Sequence, residues 1–384
     1  MKERVVVAIY IHPDYYPPTI NAINCLADMY KEVVVVTNNN CKDDFFNADN
    51  IKVVKIGNFF SPIDYEKTST LYKIFTFLKF TFQFFKASFN KETNLILMYD
   101  AIPLFSYFTF KFFINKKKTT WYHNHDMPMI KGTKKYSVGW FSAKYEHKVL
   151  QLINIFSLPT SDRLKYYPTI NNNTKYFELP NFPSQKIYNS NITNSTPSTD
   201  NVIKIIYQGT IGEAHSIEEI VLLLNEKIED KYLHLTLKGK VRKNYKDSID
   251  KLAESIDVAD KIEWIGIGPY RDVQYITKTK HIGIGIHIGE ANDSKPQGTA
   301  SNKIYEYAAC GLPVLVYDNE QFRKHLGKYS WAIFTDGSTL SLKNAILFCT
   351  KNFDTLSKAA KQDFNSHFYF EKSFNNIKLF LEKN

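Results

Sequence analysis

Cysteine is scarce in this sequence: four in 384 residues, Cys25, Cys41, Cys310 and Cys349, with no two at the spacing of a zinc-ligand pair or a redox dithiol. That pattern excludes a disulfide framework and reads as free thiols in a reducing compartment. Apolar runs of membrane-spanning length are lacking too. Lysines break LYKIFTFLKFTFQFFKASF (71–89), and PLFSYFTFKFFINKKK (103–118) runs into a lysine cluster after about a dozen apolar-rich residues, short of the ~20 that a transmembrane helix needs. The N-terminal MKERVVVAIYIHPDYYPP passes from a charge cluster straight into a strand-like run, the pattern of neither a secretion signal nor a membrane span. No repeat at solenoid spacing is visible. Acidic residues are sparse between 67 and 148, where fourteen Lys or Arg stand against four Asp or Glu, a surplus equal to the whole chain's net charge of +10. A localised basic face attracts polyanions such as nucleic acid, anionic lipid or phosphorylated substrates. No nucleic-acid recognition motif accompanies the charge, so nucleic acid is not an expected partner.

What is present is the composition of a folded globular chain, 44% hydrophobic and 15% aromatic, long enough for two domains. Short β-rich runs, VVVAIYI (5–11), EVVVVT (32–37), NLILMYD (94–100) and TTWYH (119–123), alternate with longer amphipathic stretches. Continuous apolar strands interleaved with helices predict a parallel sheet covered on both faces. The Asn-, Ser- and Thr-rich KIYNSNITNSTPSTDN (186–201) reads as a linker. Beyond it the alternation restarts with VIKIIYQG (202–209), YLHLTLKG (232–239), KIEWIG (261–266), HIGIGIHIG (281–289) and LPVLVYD (312–318). The expected architecture is α/β, two Rossmann-like domains with parallel sheets facing a central cleft. Residues 1–185 form the N-terminal domain, 186–201 the linker and 202–365 the C-terminal domain. A terminal helix over 366–384 packs back toward the N-terminal domain.

Within ASNKIYEYAACGLPVLVYD, a lysine and a glutamate sit in the opening turns of an otherwise apolar helix. Ser301 suits its N-cap, with a hydroxyl that can accept from a free backbone N–H. Ile304 and Ala308 face the core, while Asn302, Lys303, Glu306 and Cys310 gather on the other side. Gly311 suits the C′ position, and Pro313 blocks continuation. A cation in the first turn opposes the helix dipole by about 0.3–1 kcal/mol unless an anion is held there. A diphosphate at the helix start, met by backbone N–H groups from Gly298 and Thr299 to Ser301 and by Lys303, satisfies that condition. An acceptor-only carboxylate at Glu306 suits a vicinal diol.

Four stretches resemble the nucleotide-sugar glycosyltransferases of the GT-B fold, in particular the large retaining group called glycosyltransferase family 4. They are IYIHPDYYPPTINAINCLADMYKEVVVVTN, TTWYHNHDMP, IIYQGTIGEAHSIEEI and ASNKIYEYAACGLPVLVYD. The resemblance implies a hexosyltransferase-type enzyme whose C-terminal domain binds a nucleotide-diphosphate sugar and whose N-terminal domain binds a saccharide acceptor, with retention of configuration. It implies that Glu306 holds the ribose hydroxyls and that His125, rather than His123, lies near the donor sugar. Lys303 would stabilise the leaving diphosphate, with Gly209, Thr210, Gly212, Lys240 and Asn302 also on the donor side and Tyr16, Asn124 and Asp126 on the acceptor side. The chain departs from the pattern in three places. Thr19 to Ala22 replace the family's two glycines in the first loop. Thr210 and His215 replace its diphosphate-neutralising Arg and Lys, leaving Lys303, Lys240 and Arg242 as candidates. Gly298 replaces a second glutamate, for which Glu290 is a substitute.

No Asp-x-Asp motif or third ligand beside His123 and His125 is present, so no metal or other cofactor is expected. The basic, aromatic runs at 71–89 and 103–118 suggest a lipid-linked saccharide acceptor, as in bacterial surface polysaccharide assembly. An anionic membrane surface is a further partner, and the location cytoplasmic, at the membrane's inner face. Two rival functions remain open: a nucleotide-sugar epimerase on the same fold, and a catalytically silent binding subunit.

Overall fold

The computed structural model describes residues 2–41, 46, 48–115, 117–126, 133–167, 170–189, 201–288 and 300–383. The chain forms two compact units, Met1–Asn181 with Ser373–Asn384, and Phe182–Lys372.

The first unit is built on seven parallel strands: β1 (Lys2–Ile9), β2 (Tyr30–Asn38), β3 (Ile51–Ile56), β4 (Thr93–Tyr99), β5 (Thr119–His123), β6 (Ile155–Leu158) and β7 (Lys175–Glu178). Their order is β3-β2-β1-β4-β5-β6-β7. Valine and leucine runs in β1, β2 and β4 are almost wholly buried, as strands covered on both faces must be. Strand order reverses between β1 and β4, and ligands of open α/β sheets bind at the carboxyl ends of strands flanking such a switch. Sequence patterning missed β3, β6 and β7. The edge strands β3 (IKVVKI) and β7 (KYFE) are only half-buried and carry lysines, the composition that protects a sheet edge but hides its alternation.

Ser373–Asn384 belong to this unit through several anchors. Lys2 Nζ donates to the Leu381 carbonyl at 2.5 Å, and the Phe374 and Phe380 rings lie 6.1 and 5.6 Å from Trp121 and Phe177.

In the second unit the sheet contains β8 (Val202–Gln208), β9 (Lys227–Ile228), β10 (Lys231–Lys238), β11 (Ile262–Trp264), β12 (Ile282–Ile284), β13 (Val314–Tyr317) and β14 (Ala332–Thr335). The order is β11-β10-β8-β12-β13-β14, all parallel, with β9 added antiparallel to β10. Its switch lies between β8 and β12. Lys186–Tyr188, expected in the linker, instead lie in the helix Gln185–Tyr188, N-capped by the Ser184 hydroxyl. The Glu371 carboxylate accepts from Ser184 Oγ at 2.5 Å and from the Gln185 amide at 3.0 Å, and Tyr188 is buried in this unit's core. This unit therefore begins at Phe182, before the polar run; residues 190–200 lie outside the described residues.

Gly283 in β12 and Gly285 just beyond it set how closely the helix Asn302–Ala309 approaches the sheet. A Cβ on Gly283 would fall 2.3 Å from the Tyr307 ring, and one on Gly285 2.7 Å from Ile304. Gly283→Ala is therefore expected to destabilise the protein by about 1–3 kcal/mol through overpacking, seen as a lower urea midpoint. An unchanged midpoint would show that the helix does not rest on β12 in this way.

Candidate active site

At the switch of the second sheet, β8 ends in Tyr207 and Gln208, and Gly209 turns the chain outward with φ +125°. Gly239, after β10, has φ +140°, and a Cβ there would lie 1.8 Å from the Gly209 carbonyl oxygen, so the two turns pack backbone on backbone. This contact consumes amides. Gly209 N–H donates to the Lys238 carbonyl (2.9 Å) and Ile211 N–H to that of Lys240 (2.8 Å), so neither is offered to a phosphate.

The helix Asn302–Ala309 follows β12 across the switch. Ser301 occupies the N-cap with extended backbone, but the expected hydroxyl cap is not made. At the other end Gly311 takes φ +76° in the C′ position expected for it, with Gly311 N–H donating to Ala308 and Leu312 N–H to Tyr307 in a Schellman pattern. The expected division into core and open faces holds for Ile304 and Ala308, which are buried, and for Asn302, Lys303 and Cys310, which are half-buried, but not for Glu306. Every residue from Ile304 to Ala309 is buried, Glu306 included at 5% exposure.

Glu306 Oε2 accepts from Gln208 Nε2 at 2.5 Å, and Gln208 Oε1 accepts from Thr277 Oγ1 at 2.9 Å, which fixes the amide's orientation. Burial pushes the Glu306 carboxyl up to about 7, against the opposing pull of hydrogen bonds from Tyr270 and Gln208 and of the Lys303 charge. Lys303 points back to the β8 turn. Its Nζ donates to the Tyr207 hydroxyl at 2.7 Å, lies 4.1 Å from that ring's centroid, and is 3.5 Å from where a Gly209 Cβ would stand. Tyr207 in turn donates to the Thr210 carbonyl at 2.6 Å. Burial lowers Lys303 to about 7, opposed by Glu306. His215, its ring 4.7 Å from Tyr207 and its Nδ1 donating to the Ile286 carbonyl at 2.9 Å, is held down to about 3 by burial and then by Lys303. Burial and Lys303 thus keep the His215 imidazole neutral.

The structure therefore brings Lys303 to the Gly209–Thr210 turn and Glu306 to the end of β8. Gly212 lies one bridge further on, beside Ile211, which pairs with Val241. Lys240 and Arg242 are exposed in the turn after β10. Asn302 Oδ1 is buried with no hydrogen-bond partner among the described residues. Gly298, Thr299 and Glu290 lie outside the described residues. Sequence reasoning missed Gln208, Tyr270 and Lys238. Lys238 sits opposite Gln208 in the β10–β8 register, and burial lowers its pKa. Position at a strand's carboxyl end was the signal available for Gln208 and Lys238.

In the first unit, β1, β4 and β5 deliver a second cluster to their own switch. The His125 ring is stacked between Tyr16 (4.9 Å) and Tyr99 (4.8 Å). The Asp100 carboxylate accepts from the His125 amide (2.8 Å) and faces its Nδ1 (3.3 Å). A carboxylate only accepts, so Nδ1 carries a proton toward Asp100, while Nε2 is hydrogen-bonded to Thr19 Oγ1 at 3.1 Å. Asp100 reaches this position with φ +64°, a strained conformation for a non-glycine residue. Arg163, 2% exposed, donates to the His125 carbonyl. His123 lies deeper. Its Nδ1 bonds Ser157 Oγ at 2.8 Å, and burial, with His125 and Arg163 adding to it, holds its pKa well below the usual range. Asn124 is turned inward, donating to Tyr122 (2.7 Å) and to Glu146 (2.9 Å), while Asp126 is exposed. Glu146 also accepts from Tyr122 and Tyr167, and burial raises it to about 7.

Among the described residues, one group could ligate a metal. His12, Asp14 and Cys41 bring ligand atoms within 4.8 Å of one another. They are already joined by hydrogen bonds, Cys41 Sγ to Asp14 Oδ2 at 3.1 Å and the Asp14 amide to His12 Nδ1 at 3.2 Å.

No protein-family model and no curated protein matches the sequence. Solved structures match over almost the whole chain. Sucrose-phosphate synthase from Thermosynechococcus elongatus superposes with a TM-score of 0.68 at 11% identity, over 99% of this chain and 98% of that one. Anabaena HepE in complex with UDP and glucose gives 0.69 at 12%, over 99% and 100%. WaaG, a glycosyltransferase involved in lipopolysaccharide biosynthesis, gives 0.66 at 12%, over 98% and 99%. The chain has the GT-B fold of these glycosyltransferases.

Proposed function

We propose that the chain is a glycosyltransferase that moves a sugar from a nucleotide-diphosphate donor to a saccharide acceptor. One observation carries this reading: Glu306 and Lys303, one helical turn apart, meet the end of β8 as a carboxylate on Gln208 and a cation on the Gly209–Thr210 turn. That is the polarity a ribose and a diphosphate require. HepE is solved with UDP and with UDP-glucose, which makes a uridine nucleotide the first donor to test. In the reaction an acceptor hydroxyl bonds to the anomeric carbon on the face from which the diphosphate departs, the bond from that carbon to the diphosphate oxygen breaks, and the hydroxyl proton passes to that departing oxygen. Lys303, free to exchange Tyr207 for phosphate, stabilises the leaving charge. His125, with Nδ1 set by Asp100, presents Nε2 to a sugar hydroxyl once Thr19 yields it, and Tyr16 lines the acceptor side. Retention follows from the sequence resemblance. A lipid-linked acceptor in surface polysaccharide assembly is supported by the basic, aromatic first unit and by WaaG's role. We further propose that no metal takes part, so turnover survives EDTA.

A thermal-shift screen over nucleotide sugars tests the donor site, since a ligand at a hundred times its Kd stabilises by about 2.7 kcal/mol. A rise in Tm with one such sugar, followed by transfer to a saccharide, is expected. Epimerised donor without acceptor would point to an epimerase. Binding without transfer to any acceptor would point to a silent subunit. No shift with any nucleotide sugar would sink the reading.

A further inference from the structure

The helix Thr70–Phe89 carries apolar side chains on two opposite faces. Phe77, Phe80 and Phe84 are buried against the first unit's core. On the other face Leu71, Phe75, Leu78, Phe82 and Phe89 recur at helical spacing and are 80%, 54%, 57%, 61% and 58% exposed. The turn Lys111–Phe113 extends this face: Phe112 is 83% exposed, and Phe113 meets Phe85 at 6.2 Å, which meets Phe89 at 5.5 Å. A continuous exposed apolar strip of this kind marks a site of contact.

Charge selects the partner. Between 70 and 118 the chain has eight lysines against Glu92 and Asp100; Lys118 is buried, donating to the Ser88 and Asn90 carbonyls, and Asp100 is engaged with His125. Lysines interleave with the exposed rings, Lys79 Nζ lying 4.5 Å from the Phe75 centroid and Lys111 Nζ 4.8 Å from that of Phe112. We propose that this face docks on the surface of an anionic lipid bilayer. Rings enter the headgroup–acyl boundary while ammonium groups meet lipid phosphates, a pairing that one amphipathic surface provides. A second copy of the chain fits less well, because like charge would meet like charge. Among the described residues no helix is long and apolar enough to cross a membrane, so the contact is interfacial. The surface involves no residue of the donor site and stands independently of the glycosyltransferase reading.

Vesicle flotation tests it. The full chain is expected to float with vesicles of equal parts phosphatidylglycerol and phosphatidylcholine, not with phosphatidylcholine alone, and raised salt should release part of it. Leu78→Ser with Phe82→Ser and Phe112→Ser should lower the bound fraction about tenfold or more, as should Lys79→Glu with Lys86→Glu. These positions are exposed, so an unchanged Tm and nucleotide response confirm that the variants are folded and keep the donor site separate. The proposal fails if the wild type does not float, or if the substituted chains float equally well. It fails also if the wild type self-associates without lipid and the same substitutions abolish that association.

Discussion

Glu306→Ala is expected to weaken nucleoside diphosphate binding by about ten- to a hundredfold, the loss of 1.5–3 kcal/mol typical of hydrogen bonds to a charged group. In the folded chain one carboxylate oxygen is already held by Gln208, whose own orientation Thr277 fixes. The carboxylate is thus aimed before any ligand arrives, and its remaining lone pairs can accept from two vicinal hydroxyls without a rotamer cost. Truncation also strands the Gln208 amide, so a stability loss of about 1–3 kcal/mol is expected, and titrations belong well below the variant's Tm. Calorimetry with paired ligands isolates the contribution: affinity for a nucleoside diphosphate should fall, whereas affinity for inorganic pyrophosphate, which has no ribose, should hardly change. Wild-type affinity in a folded Glu306→Ala chain, or equal losses for both ligands, would remove the carboxylate from the ribose.

The helix that carries this residue was the most legible part of the sequence. Its Gly-x-Pro stop and the strand beyond it follow from local chemistry, and the Schellman turn at Gly311 is where that chemistry places it. Depth was not legible. Alternation on one helix cannot reveal that Gly283 in β12 and Gly285 just beyond it open room, and this close approach buries Tyr305, Glu306 and Tyr307 together. The same limit applies to His125. Its place after β5 could be read from TTWYHNHD, but the stack between Tyr16 and Tyr99 and the Asp100 clamp come from the segment after β1 and the end of β4, both distant from it in sequence. Thr19 acquires a meaning only in that assembly: its hydroxyl meets Nε2. The polar run at 186–201 looked like a boundary because composition reports solubility, whereas Tyr188 and the Ser184–Glu371 contacts show that its opening turn belongs to a packed core. Edge strands escaped for a related reason, since the lysines that protect β3 interrupt the pattern by which a strand is recognised.

Binding of a nucleoside diphosphate should have a bell-shaped pH dependence centred near 7. Burial raises Glu306 to about 7 and lowers Lys303 to about 7, so each group approaches its neutral form in the ligand-free site. The ligand needs the opposite: an ionised Glu306 to accept from ribose and a protonated Lys303 to meet phosphate. As pH falls below about 7, Glu306 takes up a proton and loses acceptor capacity. As pH rises above about 7, Lys303 loses its proton and its attraction for the diphosphate. Each unit of pH beyond either limit lowers the competent fraction by about tenfold, so affinity two units away should be about a hundredfold weaker. The pair titrates as one system, and single substitutions separate its limbs. Lys303→Met should abolish the alkaline limb and leave the acid one, and a nucleoside without phosphates should show only the acid limb in the wild type. Binding by the wild type just above neutrality should draw a proton from buffer, measurable as a dependence of the calorimetric enthalpy on buffer ionisation. A profile flat from pH 5 to 9, with no proton uptake, would mean that neither charge meets the ligand.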